Sequence, residues 1–441
     1  MSPSQDAKAA VPNAAAAPVA HPISIDDIYR AREILREVVA RTPMRQSLAA
    51  PAWLAAPAGT AGSAGEAATE IFFKLENEQR TGSFKIRGAV NKMARLTAEE
   101  RKRGVVASSA GNHAQGVAYA AQQLGVKATI VMPATAAIVK IIATRGYGAN
   151  VVLHGEFYDE AYAKALELEK EKGLVFVHPF QDPLIMAGQG TIGLEIVEDL
   201  PDLDSVVVPI GGGGLISGVA TAIKALRPSV RVIGVTSDQA PGMMHLKNGT
   251  QPGPSRRKIS TIADGIAVKS PSPIVFENYI SRLVDEVVAV SDDEIAQAIT
   301  FLLEKTKTVT EGSGAAGLAA AFSRPLRLGK KCCVLLCGGN IDLNVMARVI
   351  ERGLRRQHRL ARIAVVADDL PGNLSRLTAI LTEKRSNVLE VLHDRVSPEL
   401  GLRETRIDLL VETSSDEHIA EILGALKGEG FRIVSSPLPI P

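Results

Sequence analysis

A lysine behind an aromatic residue and a small polar run, in "RTGSFKIRG" (80–88), is the first place where this sequence could do chemistry. By residue type alone Lys85 belongs in water on the protein surface. Buried against Phe84, the same amine would give up its proton easily enough to serve as nucleophile or base. Three glycine-bearing loops could supply its partner. In "VVVPIGGGGLISG" (206–218) a single glycine would make the strand-to-helix turn, yet there are four, Gly211, Gly212, Gly213 and Gly214. Without side chains their N–H groups can converge on a bound group, and the helix that follows adds its positive end, which suits a phosphate. The spacing is not G-x-G-x-x-G and no Gly-Lys-Ser/Thr follows, so a small cofactor with one phosphate fits better than a nucleotide triphosphate or dinucleotide.

The second loop, "SSAGNHAQG" (108–116), sets Ser109, Ala110, Gly111, Asn112 and His113 at a helix start, an anion-binding position. Asn112 could instead simply cap that helix, and a histidine such as His113 is more often a structural hydrogen-bond partner than a catalyst. The third, "LLCGGNIDLN" (335–344), ends an apolar run with Cys337, Gly338, Gly339 and Asn340.

Elements that could hold these loops together are legible as alternation. Apolar runs at 71–76, 104–109, 128–133, 150–155, 174–179, 205–210, 231–236 and 331–337 are rich in Val and Ile, as in strands covered on both faces. Helical segments such as 113–124, 160–172 and 215–226 separate them. That order predicts a parallel, doubly wound α/β fold over residues 22–355, in which ligands gather at the carboxyl ends of the strands. "LAAPAGTAGSAGEAATE" (54–70) reads as a surface insertion, and residues 1–21 as a disordered tail, not a signal peptide. A new pattern starts after "ERGLRRQHR". Residues 361–441 run strand, helix, strand, strand, helix, strand, a ferredoxin-like unit with Pro371 near its first helix.

Fifty basic against 48 acidic residues, a net charge of +2 with no basic block, argue against nucleic acid or an anionic membrane as partner. No apolar run reaches the ~18–20 residues of a membrane helix. Cys332, Cys333 and Cys337 sit in one apolar run, as packed, reduced thiols would. A cytoplasmic protein is the simplest expectation.

Taken together, "KLENEQRTGSFKIRGA" (74–89), "SAGNHAQGVA" (109–118), "GGGGLISG" (211–218), "TIADGIAVKSPS" (261–272), "EGSGAAGLAA" (311–320) and "CGGNID" (337–342) resemble the fold-type II pyridoxal-phosphate enzymes, most closely the threonine dehydratases (threonine ammonia-lyases). The resemblance implies a two-lobed, tryptophan-synthase-β-like catalytic domain with a small lobe at roughly 79–165 inserted in the large one. It implies that Lys85 joins the aldehyde of pyridoxal 5'-phosphate, Phe84 packs on its ring, Asn112 bonds its phenolic oxygen and Gly211 to Gly214 hold its phosphate. Ser109 to His113 would receive the substrate carboxylate. Cys337 stands where many members have a serine facing the ring nitrogen, and a thiol bonds more weakly. The implied reaction is β-elimination: Lys85 takes the α-proton, the β-hydroxyl leaves with a proton from the cofactor phosphate, and the released enamine becomes a 2-oxo acid and ammonia. L-Threonine would give 2-oxobutanoate and L-serine pyruvate.

The C-terminal unit resembles a single ACT domain. That likeness implies an amino-acid effector at Asp369, Gly372, Asn373 and Leu374 and a homodimer or homotetramer, against the plainer reading of a structural dimerisation module. Serine racemases share most of this machinery but place a serine where this chain has Ala110, which carries no proton. Their divalent metal position is also matched by Thr236 and Gly242, so no metal is expected. An enzyme of that racemase or serine-dehydratase type, acting mainly on serine or hydroxyaspartate, is the alternative. A dehydrogenase would need an acid ~20 residues past the glycine loop, and Asp238 comes late. A catalytically dead amino-acid sensor would not need Lys85.

Overall fold

The computed structural model describes residues 22–47, 69–250 and 259–435. The expected tail at 1–21 and nearly all of the 54–70 insertion lie outside the described residues. The chain forms two compact units that divide between Ile341 and Asp342.

The first unit contains two sheets. The larger orders its strands β1 (Met44–Gln46), β2 (Glu70–Lys74), β10 (Lys331–Leu335), β7 (Ser205–Pro209), β8 (Arg231–Ser237) and β9 (Glu286–Val290). All neighbours pair parallel except β1, which runs antiparallel to β2 at the edge. The smaller sheet is parallel throughout, in the order β5 (Asn150–Leu153), β4 (Ala128–Met132), β3 (Val105–Ser108) and β6 (Val175–Phe176). Every residue of β7 and β3 is buried, which explains why these segments read as unbroken Val-rich runs. β1 and β9 escaped the sequence pattern, the first because three residues give no period. The run at 174–179 is strand only at Val175–Phe176. Beyond it Pro179 has no N–H for a ladder, and His178 Nδ1 accepts from the N–H groups of Phe180 (3.2 Å) and Gln181 (2.8 Å), closing a turn.

Three helices set the distances that matter. One begins at Lys85 (Lys85–Ala94), one at Pro183 (Pro183–Asp199) and one at Gly214 (Gly214–Leu226). Asp182 caps the Pro183 helix, its carboxylate accepting from Leu184 and Ile185 N–H, and proline fills the first turn. This helix is buried almost throughout and touches the other two through glycines. A Cβ on Gly188 would lie 2.4 Å from the Arg87 carbonyl oxygen. On Gly218 it would lie 2.2 Å from that of Met186 and 2.7 Å from the Gly190 nitrogen. Backbone therefore packs on backbone at both crossings, an approach no side chain permits.

The Lys85 helix is also anchored by charge. Arg87, 2% exposed, spends its guanidinium on two buried carboxylates. Nη2 and Nε donate to Glu76 at 2.7 and 2.9 Å, Nη1 to Glu195 at 2.6 Å and to Thr191 Oγ1 at 3.0 Å. Buried Lys74 pairs with the other Glu195 oxygen at 2.7 Å.

The second unit is antiparallel, ordered β12 (Val388–Asp394), β13 (Glu404–Glu412), β11 (Leu360–Asp368) and β14 (Arg432–Ser435), with helices Asn373–Glu383 and Asp416–Gly428 between strands. This is the expected ferredoxin-like βαββαβ order, with a core of Ile363, Val365, Leu377, Leu381, Ile407, Leu409 and Ile422 among others. The helix Leu343–Arg356 groups with this unit and ends where β11 begins.

Candidate active site

Lys85 opens its helix directly after Phe84, and its Nζ donates to the Pro179 carbonyl at 2.8 Å. Burial pushes the amine down to about 8, within reach of a neutral, proton-accepting form. Phe84 is buried in the large-lobe core with its ring centroid 5.1 Å from Nζ, so the aromatic residue does lie against the amine.

Pro179 leads straight to the glycine loop. A Cβ on Gly212 would sit 2.3 Å from the Phe180 ring, and one on Gly214 2.7 Å from the Phe180 carbonyl. Gly213 has φ +90° and begins a helix that no side chain caps, leaving first-turn N–H groups for an anion. A Cβ on Gly211 would meet the Gly265 carbonyl at 3.0 Å, so the "TIADG" segment lies on the same loop. One residue away, Asp264 pairs at 2.7 Å with Lys140, from the helix Ile138–Gly146 beside the smaller sheet.

The Ser109–His113 loop precedes the helix Asn112–Leu124, which also starts without a side-chain cap. Asn112 is thus not the cap that its position allowed. Ser109 Oγ accepts from Gly111 N–H at 3.1 Å and shapes the turn. His113 is buried, its Nε2 bonded to the Val177 carbonyl at 2.8 Å, and burial lowers it to about 3. Its ring is therefore neutral and structural, as the plainer expectation had it. Asn112 Nδ2 donates instead to Glu311 at 2.6 Å, and Asn112 Oδ1 accepts from Asn340 at 2.8 Å.

Cys337 closes the group. Its Sγ lies 3.6 Å from the Ser313 carbonyl, and its own carbonyl accepts from Phe84 N–H at 3.2 Å. Burial raises the thiol far above its ordinary range, so it stays protonated. Cys332 and Cys333 are likewise free and buried.

Sequence reading gave no role to three participants. Glu311 is buried, and burial, helped by Asp264, lifts its carboxyl to about 7. Asn340 and the Pro179 carbonyl are the others. A signal existed for Asn340: "GN" occurs at 111–112 and again at 339–340, each just past a strand end. Glu311 had none beyond its place before the helix Gly312–Ser323.

The parts suit one cofactor. A half-buried amine, a glycine loop in which a Cβ on Gly212, Gly213 or Gly214 would come within 2.3 to 2.7 Å of a neighbour, and buried hydroxyls of Ser83 and Ser313 without partners match the amine, phosphate and polar needs of pyridoxal phosphate. Comparison with known proteins agrees. The family profile of the pyridoxal-phosphate dependent enzymes matches residues 37–338, and the chain belongs to that family. Within it, the chain is 48% identical to the L-threonine ammonia-lyase of Thermotoga maritima, over 93% of this chain and 99% of that one. It thereby falls among the threonine ammonia-lyases. Its structure resembles threonine deaminase isoform 2 from Solanum lycopersicum (TM-score 0.66, 35% identity, covering 78% of this chain and 93% of that one). It also resembles maize serine racemase (TM-score 0.68, 33% identity, covering 77% and 100%).

Among the described residues no helix is long and apolar enough to cross a membrane. Thr236 is buried in β8, and a Cβ on Gly242 would lie 2.9 Å from Pro271. In the second unit Asp369 pairs with Arg395 at 3.0 Å, Gly372 (φ +95°) starts the first helix, Asn373 Nδ2 closes the turn onto the Asp368 carbonyl at 2.7 Å, and Leu374 is exposed.

Proposed function

We propose that this chain eliminates water from L-threonine and releases 2-oxobutanoate and ammonia, with L-serine as a second substrate giving pyruvate. The observation that carries it is the Lys85 amine, held by the Pro179 carbonyl and brought down by burial to about 8, beside a loop whose residue 110 is alanine. Gly211 to Gly214 and the uncapped helix behind them would hold the cofactor phosphate, Phe84 its ring, Asn112 its phenolic oxygen, and Cys337 would face its nitrogen. When bound, pyridoxal phosphate supplies a ring that stabilises negative charge at the substrate α-carbon. Within the Ser109 to His113 loop, the backbone N–H groups not spent on the Val131 carbonyl and on Ser109 Oγ would orient the substrate carboxylate at the start of the Asn112 helix. Lys85 Nζ, neutral through desolvation, accepts the α-proton. The protonated Cys337 thiol leaves the ring nitrogen without a carboxylate partner, which favours elimination over longer-lived carbanion routes.

Ala110 separates this reading from a racemase. Purified enzyme should form 2-oxobutanoate from L-threonine with no measurable D-serine from L-serine. Ala110→Ser should raise α-proton exchange or D-serine formation by about tenfold or more, since a positioned acid or base contributes ~10²–10⁴. A wild type that racemises faster than it eliminates would overturn the assignment.

The second unit we read as an ACT domain through which a small amino acid regulates the enzyme, with Asp369, Gly372, Asn373 and Leu374 around the effector. Its exposed apolar outer strand, with Leu389, Val391 and Leu392, supports pairing with a second copy in a homodimer or homotetramer. Asp369→Ala in the full-length enzyme should weaken the response to an effector such as isoleucine or valine by about tenfold. An unchanged dose–response curve would place control elsewhere. Free, buried thiols support a cytoplasmic setting.

A further inference from the structure

Asn112 belongs to a chain of hydrogen bonds whose polarity is fixed at one end. The Thr81 carbonyl can only accept, and Asn340 Nδ2 donates to it at 2.8 Å. That orients the Asn340 amide, whose Nδ2 also donates to Asn112 Oδ1 at 2.8 Å. An Asn112 amide that shows its oxygen to Asn340 must show its nitrogen to the other side, where Nδ2 donates to Glu311 Oε1 at 2.6 Å. One Nδ2 hydrogen remains, so what the nitrogen side of Asn112 still offers is a donor.

The backbone makes room for this chain at two glycines. A Cβ on Gly82, at φ +69°, would strike Asn340 Oδ1 at 2.3 Å. A Cβ on Gly338 would lie 2.5 Å from Glu311 Oε1 and 3.1 Å from Asn112 Nδ2. Glu311 occupies the N-cap of its helix yet makes no capping bond, so its carboxyl is given over to Asn112.

We propose that Asn340 and Glu311 are positioning residues for the cofactor, clamping the Asn112 amide so that its last N–H meets only an acceptor, the phenolic oxygen of the ring. This rests on the cofactor assignment above and not on the choice of substrate. Glu311 also makes the clamp sensitive to protons. The charged and titratable groups facing it are Lys85, Asp264 on the turn beside the glycine loop, Lys140, and the Cys337 thiol. Above about 7 the carboxylate holds Asn112 through a charge-assisted bond, and below it the neutral acid holds Asn112 less firmly.

Two isosteric variants of the full-length holoenzyme test this without any turnover. Asn340→Asp sets acceptors against both the Thr81 carbonyl and Asn112 Oδ1. It should shift the visible absorption of the bound cofactor and weaken cofactor affinity by about tenfold or more. Wild type should change its spectrum near pH 7; Glu311→Gln keeps an acceptor for Asn112, so its spectrum should match that of wild type at low pH and show no such change. The clamp is overturned if Asn340→Asp keeps the wild-type spectrum and affinity, or if Glu311→Gln titrates like wild type. Should Asn340→Asp fail to fold, as circular dichroism would report, the Glu311→Gln titration decides alone. A wild type that ignores L-threonine would sink the substrate assignment and leave these spectra interpretable.

Discussion

Lys85→Ala is expected to lower conversion of L-threonine by at least about 10³-fold, because the variant loses the amine proposed to accept the α-proton and to hold the cofactor covalently. A merely unfolded variant would show the same loss, so stability is the second readout. The sign can be worked out. Burial depresses the amine from 10.5 in the unfolded chain to about 8 in the folded one. The unfolded chain therefore binds more protons between those values, and stability rises with pH across that window. Below pH 8 the folded state carries the full cost of a buried ammonium, and alanine removes it. Cofactor-free Lys85→Ala should thus melt no lower than wild type at pH 7, and higher if anything, with the difference fading as pH climbs toward 10.5. An inactive variant that also melts well below wild type at pH 7 would mean that Lys85 is a structural lysine.

Arg87→Met should destabilise the first unit by roughly 3–5 kcal/mol, the cost of leaving a buried partner charge uncompensated. Glu195 would keep Lys74, but Glu76, wholly buried, would keep only the Thr42 hydroxyl at 2.6 Å. Arg87→Lys should recover only part of the loss, since an ammonium cannot reach two carboxylates as a planar fork does. Urea unfolding of wild type and both variants at pH 7 checks both points. A chain of two units need not unfold in one step, so the comparison belongs to the first unit's transition. Equal stability of Arg87→Met and wild type at pH 7 would show that the network contributes nothing net.

Much of this was legible in one dimension for a physical reason. Strands buried on both faces must be apolar at every position, so β3, β4, β7, β8 and β10 announced themselves, as did the six elements of the C-terminal unit. The glycine loop was legible because four residues without side chains are costly unless something must come close to the backbone. The failures have equally local causes. β1 is three residues long, and the 174–179 run continued in apolar character past the point where Pro179 and the His178 ring end the ladder. Glu311, Asn340 and the Pro179 carbonyl were hidden because their roles depend on partners 94 to 259 residues away in sequence. Nothing in "KIRG" sets Arg87 apart, and only its three-dimensional neighbours make it an anchor.

The glycine crossings on the Pro183 helix have a consequence for how such a catalyst can diversify. The element that bears the lysine and the element proposed to receive the phosphate are both fastened to one rod, main chain against main chain, at Gly188 and at Gly190 and Gly218. The span from reactive nitrogen to anion cradle is then a property of the scaffold and not of the residues that face the substrate. Side chains around the cleft can be exchanged to suit another amino acid while the gauge of the instrument stays the same.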